Sequence, residues 1–183
     1  MKKYYKDYKL VSKTLPNGKI KQVAEYIGNY YICQLSETDF NRFKLYHLTL
    51  ALCSGTIAIG VGLLNHPGSR VAYVALPYVS LFLPIAFSLI GTMGFMFSGL
   101  KLEQAAYDKT KKRIHRSTIW QIALSSIVSL GNFVFTLIKG STDTLLKNWI
   151  FTGGMLLILV INLAFLKLQK RVTYKVEDPN YNV

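Results

Sequence analysis

Polar side chains set at helical spacing inside otherwise apolar sequence are the residues of this chain whose types and positions offer chemistry. His47, Ala51, Ser54, Ala58 and Gly62 recur every three or four positions, as do Gln121, Ser125, Ser129, Asn132 and Thr136. That spacing places each set on one face of a helix. An imidazole, carboxamides and hydroxyls in an apolar interior can hold a polar solute, or they can bond helix to helix at roughly 0.6–2 kcal/mol per contact. Counted from the basic helix ends, His47, Ser98, Gln121 and Asn162 fall within about two turns of the inner surface. Asn132, Thr136 and Thr152 fall nearer the outer one. The candidate site is therefore a polar intramembrane cluster of His47, Ser98, Gln121, Ser125, Asn132 and Asn162.

Several chemistries are missing around these residues. His47, His66 and His115 fall on a helix end, an outer turn and an inner loop, places that cannot share one metal. No Cys-x-x-Cys, His-x-x-x-His, phosphate loop or nucleophile elbow occurs. The apolar stretches contain no carboxylate, the group on which proton- and sodium-coupled carriers usually depend. The chain is thus read as non-enzymatic, with no catalytic, metal or cofactor-binding residues. A lipid-modifying enzyme would have to act through His47 or His115.

The elements that must position these groups are four stretches free of Asp, Glu, Lys and Arg: Leu45 to Leu64, Val71 to Leu100, Ser117 to Ile138 and Asn148 to Leu166. About 20 apolar residues at 1.5 Å each cross a hydrocarbon core of about 30 Å. The chain of 183 residues, 51% hydrophobic with mean hydropathy +0.26, has room for one membrane bundle and one small appendage. The fold class is membrane all-α: a four-helix transmembrane domain over 37–170, with spans near 44–64, 71–99, 117–138 and 148–167, after a cytosolic β-meander over 1–36 and before a tail over 171–183.

The net charge of +13 sets the orientation. Of the 22 Lys and Arg, 19 lie before the first span, between spans two and three, or after span four, and three lie in the other two connections. The positive-inside rule places both termini in the cytoplasm, in a plasma membrane, with the basic surface facing anionic headgroups rather than nucleic acid. No cleavable signal peptide is expected from the mostly polar residues ahead of the first span, and Cys33 and Cys53 are expected to remain reduced.

Ahead of the membrane, Asp7 to Leu15, Lys19 to Ile27 and Tyr30 to Leu35 read as strands joined by Pro16-Asn17-Gly18 and Gly28-Asn29, two turn signals. They suggest a three-stranded antiparallel meander, too small to stand with both faces wet. Tyr4, Tyr5, Tyr8, Tyr26, Tyr30 and Tyr31 supply amphipathic rings for whatever it covers. Ser36 is a candidate N-cap for a helix that begins before the membrane. Asn65-His66-Pro67-Gly68 is a short outer turn, and Pro77 and Pro84 predict a kink in span two. Lys101 to Arg116 should extend spans two and three into the cytoplasm, and Lys139 to Lys147 is an outer loop. Ala51-Leu52-Cys53-Ser54 echoes Ala123-Leu124-Ser125-Ser126, a faint sign of two hairpin repeats.

A folded appendage without an active site points to an accessory or regulatory membrane subunit that binds a protein partner through its sheet and helix faces. The alternative is a small channel or uncoupled carrier, in which a homo-oligomer lines a path with the span-three stripe. Neither ligand nor partner is named by these residues.

Overall fold

The structure, a computed structural model, describes residues 2–14, 16, 19–139 and 142–178. Its helices are α1 (Glu37–Gly62), α2 (Ala72–Met96), α3 (Gln104–Tyr107), α4 (Arg113–Lys139) and α5 (Thr142–Arg171). A π-helical turn, Asp108–Lys112, carries α3 directly into α4, so Gln104–Lys139 is one continuous rod. Among the described residues, four helices are thus long and apolar enough to cross a bilayer.

Each helix begins and ends for local reasons. Ser36 caps α1, its hydroxyl accepting from the Asp39 N–H at 3.2 Å, with Glu37 and Asp39 in the first turn where the helix dipole favours acids. A 3-10 turn, Pro67–Arg70, closes the connection to α2. The connection to α5 is tighter than Lys139 to Lys147 suggests, because α5 starts at Thr142 with Asp143 in its first turn. α2 runs through both Pro77 and Pro84 as a single helix.

The helices pack in the ring α1–α2–α4–α5 and back to α1. Ala58, Val61, Val74, Leu81, Ile85, Val128, Phe151, Met155 and Ile158 fill its interior. Small residues set the closest approaches: a Cβ on Gly154 would overlap Val61 across the α1–α5 seam, and one on Gly91 would come within 2.8 Å of Ile114.

The strands correct the expected meander. β1 (Tyr8–Thr14) and β2 (Ile20–Tyr26) form a two-stranded hairpin in register Tyr8↔Tyr26 to Thr14↔Ile20. Pro16 lies in its turn, while Leu15, Asn17 and Gly18 are outside the described residues. β3 (Tyr30–Cys33) does not pair with β2. It forms the centre of a second antiparallel sheet, between β4 (Lys101–Glu103) and β5 (Tyr174–Glu177).

Burial explains the difference. A meander would leave β3 on a thin sheet wet on both sides. Paired with β4 and β5, it presses Cys33 against Phe40, Phe95, Ile114, Phe165 and Val172 at the helix ends. The stretch before α1, the α2–α3 connection and the tail after α5 therefore share one sheet, at one end of the bundle.

Candidate functional site

Of the six candidate polar residues, His47, Gln121, Ser125, Asn132 and Asn162 are buried and Ser98 is part-buried, and each makes hydrogen bonds, but not to another of the six. His47 shares its Nδ1 with the Phe43 carbonyl at 2.7 Å and packs between the rings of Phe95 and Phe165. Ser98 donates to the Phe95 carbonyl, and its own carbonyl accepts from Lys44 Nζ at 2.6 Å. Gln121 donates to the Pro84 carbonyl at 3.3 Å, Ser125 to the Ile122 carbonyl, and Asn162 to Ser54 Oγ at 3.3 Å. Asn132 donates to the Asn148 carbonyl at 3.0 Å and to Thr152 Oγ1 at 2.9 Å.

Among the described residues, none of the six candidates hydrogen-bonds another. Gln121, Asn132 and Asn162 each reach a neighbouring helix, which is the geometry of helix-to-helix bonding. The α4 stripe of Gln121, Ser125, Ser129, Asn132 and Thr136 is buried throughout. Among the described residues, no group of three His, Cys, Asp or Glu is placed to hold a metal.

Chemistry that meets the outside lies at the strand-bearing end. The tyrosines are used mainly as internal joints there. Tyr8 donates to Glu103 at 2.6 Å; Tyr26 donates to the Asn29 carbonyl and accepts from the Gln104 N–H; Tyr31 donates to Gln104 Oε1. Tyr31 stacks on Tyr107 at 4.0 Å, and Tyr107 meets Tyr174 edge-on. Lys111 donates to the Val172 carbonyl at 2.6 Å and sits over the Tyr174 ring. The sheet edges are tied by Lys101 and Glu177 at 3.0 Å.

These contacts show in the acidities. The bond to Glu103, with some burial, pushes the Tyr8 phenol up to about 12. Burial raises the Tyr174 phenol and the Cys33 thiol.

From this anchored base the β1–β2 hairpin projects with both faces open. Leu10 is 67%, Ile20 74% and Val23 36% exposed. Residues opposite one another share a face in an antiparallel pair. One face therefore carries Leu10, Ala24 and Ile20; the other sets Val11 and Val23 between Lys9/Glu25 and Lys13/Lys21.

Beside the hairpin base, a cavity of about 780 Å³ lies between α2 and the π turn and start of α4. Lys109, Lys112, Arg113 and Arg116 line its strand-bearing end, and Leu83, Phe87, Trp120 and Leu124 line the part farther along the bundle. Tyr4, on the 3-10 segment Lys2–Asp7, also lines the cavity and donates to Asp108 Oδ2 at 2.9 Å. Lys112 pairs with Asp108 Oδ1 at 2.6 Å.

The N-terminal strands are expected from sequence to dock a partner, whereas the cavity is not foreseen. The cavity face is legible as the helical progression 109, 112/113, 116, 120 and 124, which passes from basic to apolar. Glu103, Tyr107, Lys111 and Tyr174 carry no local signal, because strand pairing across distant segments gives them their roles.

Comparison with models of known protein families, with curated proteins and with solved structures finds no match to this chain.

Proposed function

We propose that the chain is a non-enzymatic, multi-pass plasma-membrane protein that works as an accessory or regulatory subunit, docking a protein partner on its β1–β2 hairpin. Both termini and the sheet lie in the cytoplasm in this reading. Four helices of spanning length and the concentration of Lys and Arg at the strand-bearing end support that placement.

One observation carries the partner reading. Lys13 and Lys21 stand directly opposite each other on the same hairpin face, next to Val11 and Val23. Like charges in that position cost sheet stability, and the Val11–Val23 pair beside them is left part-exposed although it would gain more by burial. A pattern that the hairpin's own folding does not favour suits recognition from outside. The complementary surface is an acidic protein patch with an apolar centre.

Charge reversal tests this without changing the internal cost, since Lys13→Glu with Lys21→Glu keeps a like-charged pair. In tagged protein extracted gently from its native membrane, wild type should carry a stoichiometric partner. The K13E/K21E variant should insert equally well and lose that partner at least about tenfold, as two rim charges of about 1 kcal/mol each would dictate. Equal recovery by both would reject the hairpin as the docking surface.

A further inference from the structure

The α2–α4 cavity changes character along its length in the way a phospholipid does. Its cations, Lys109, Lys112, Arg113 and Arg116, precede its apolar side chains along one helical face, and Ser117 lies at the boundary. From Arg116 to Leu124 the helix rises about 12 Å at 1.5 Å per residue. Half of a hydrocarbon core of about 30 Å is about 15 Å, so the apolar wall matches most of one leaflet.

The opposite wall is apolar as well, from Leu83 and Phe87, with Pro84 between them. Pro84 has no N–H to offer the Ser80 carbonyl one turn back, and Ser80 also faces the cavity. Trp120, about one turn beyond Arg116, adds an amphipathic ring suited to the passage from headgroup to chain.

The charge balance selects the sign of the headgroup. Among the described residues, Asp108 is the one acidic residue lining the cavity, and it is engaged by Tyr4 and Lys112. Among the described residues no carboxylate pairs with Lys109, Arg113 or Arg116. Arg113 and Arg116 present planar forks that match phosphate oxygens.

We infer that this cavity is a binding site for an anionic glycerophospholipid of the adjoining leaflet, its phosphate held by Lys109, Arg113 and Arg116 and one acyl chain laid along Leu83, Phe87, Trp120 and Leu124. The lipid, not a soluble phosphate, is the ligand, because beyond the cations the cavity wall is formed by Leu83, Pro84, Phe87, Trp120 and Leu124, which offer a phosphate nothing. Basic pockets between membrane helices on the cytoplasmic side recur as anionic-lipid sites for the same reasons. The inference is independent of the hairpin, so K13E/K21E leaves it unchanged.

Trp120 reports on the cavity directly. The chain has two tryptophans, and Trp149 lies on α5 near the other end of the bundle, so Trp149→Phe isolates the signal. The protein is reconstituted into phosphatidylcholine vesicles containing chain-brominated phosphatidylglycerol or chain-brominated phosphatidylcholine as quencher. Brominated phosphatidylglycerol should quench at mole fractions at least about tenfold lower, since each nearby cation adds roughly a fivefold preference.

Arg113→Gln with Arg116→Gln should bring the two quenchers within about twofold of each other, whereas Lys13→Gln with Lys21→Gln should keep the preference. Added glycerol 3-phosphate should not relieve the quenching. Equal quenching by the two lipids in the W149F protein, an unchanged preference in R113Q/R116Q, or the same loss in K13Q/K21Q would overturn the inference. Relief by glycerol 3-phosphate would overturn it too, by making the site one for soluble phosphate. If R113Q/R116Q does not accumulate, Lys109→Gln with Arg116→Gln carries the same expectation.

Discussion

Replacing Asn132 with Leu separates a polar stripe that bonds helices from one that lines a path. Asn132 is 0% exposed and its amide donates twice to α5, to the Asn148 carbonyl and Thr152 Oγ1. Interhelical bonds of this kind average about 0.6 kcal/mol and reach about 1.7, so the pair contributes roughly 1–3 kcal/mol. Leu also needs room where a Cβ on Gly68 would already overlap Asn132 Oδ1, and overpacking of that sort costs about 1–3 kcal/mol. The expected loss is about 2–6 kcal/mol, a fall in midpoint on the order of 10 °C for a chain of this size. Trp149 is the natural probe, since it lies on α5 beside Asn148 and meets the Phe133 ring of α4 edge-on at 5.8 Å. Thermal unfolding of the detergent-purified protein, followed by tryptophan fluorescence, should show the drop, while Leu130→Ala on the exposed face of α4 stays within about 0.5 kcal/mol of wild type. An Asn132→Leu protein as stable as wild type would refute this reasoning, and one that also lost solute flux in vesicles would favour the pore.

Three further outcomes follow from the strand-bearing end and the helix seams. Cys33 is 6% exposed and burial raises its thiol, so a maleimide at neutral pH should label it at least about tenfold more slowly in the folded protein than after denaturation; equal rates would mean that β3 is not packed on the helix ends. Glu103→Gln should return the Tyr8 phenol from about 12 toward 10, seen as the difference in tyrosinate absorbance between each protein and its Tyr8→Phe counterpart. Because the folded-state value is raised, the Tyr8–Glu103 contribution is complete below about pH 10 and lost as pH rises through about 12; a Tyr8 that titrates alike in both proteins would exclude the bond. Gly154→Leu should force α1 away from α5 at Val61 and lower the thermal midpoint, whereas the neighbouring Gly153→Ala, where a Cβ meets nothing within 4 Å, should not; equal midpoints would count against the seam.

The four long apolar helices were legible because a charge-free run of bilayer length has few other uses, and the first hairpin because two short Val- and Tyr-rich runs flank a strong turn. Ser36 likewise announced the start of α1. The partners of β3 were not legible. Lys101–Glu103 and Tyr174–Glu177 are too short to read as strands, and what recruits them is burial of Cys33 and Val172 against Phe40, Phe95 and Phe165, a contact assembled from distant parts of the chain. The polar stripes were visible as faces, but whether their residues meet each other depends on helix rotation. That rotation is set by close packing at positions such as Gly154 and Gly91, and it sends Gln121 to Pro84, Asn162 to Ser54 and Asn132 to Thr152. Lys109, Arg113 and Arg116 were legible only as charge on the cytoplasmic extensions of spans two and three, because the space beside them exists only once α2 is in place.

The mass of the intact wild-type particle, extracted from its native membrane into nanodiscs and measured without denaturation, is the most direct test of a subunit that works by docking. The expected particle contains this chain, a second protein in fixed stoichiometry and retained anionic lipid. A particle built from copies of this chain alone would contradict the subunit reading and move the weight to an oligomeric path through the membrane.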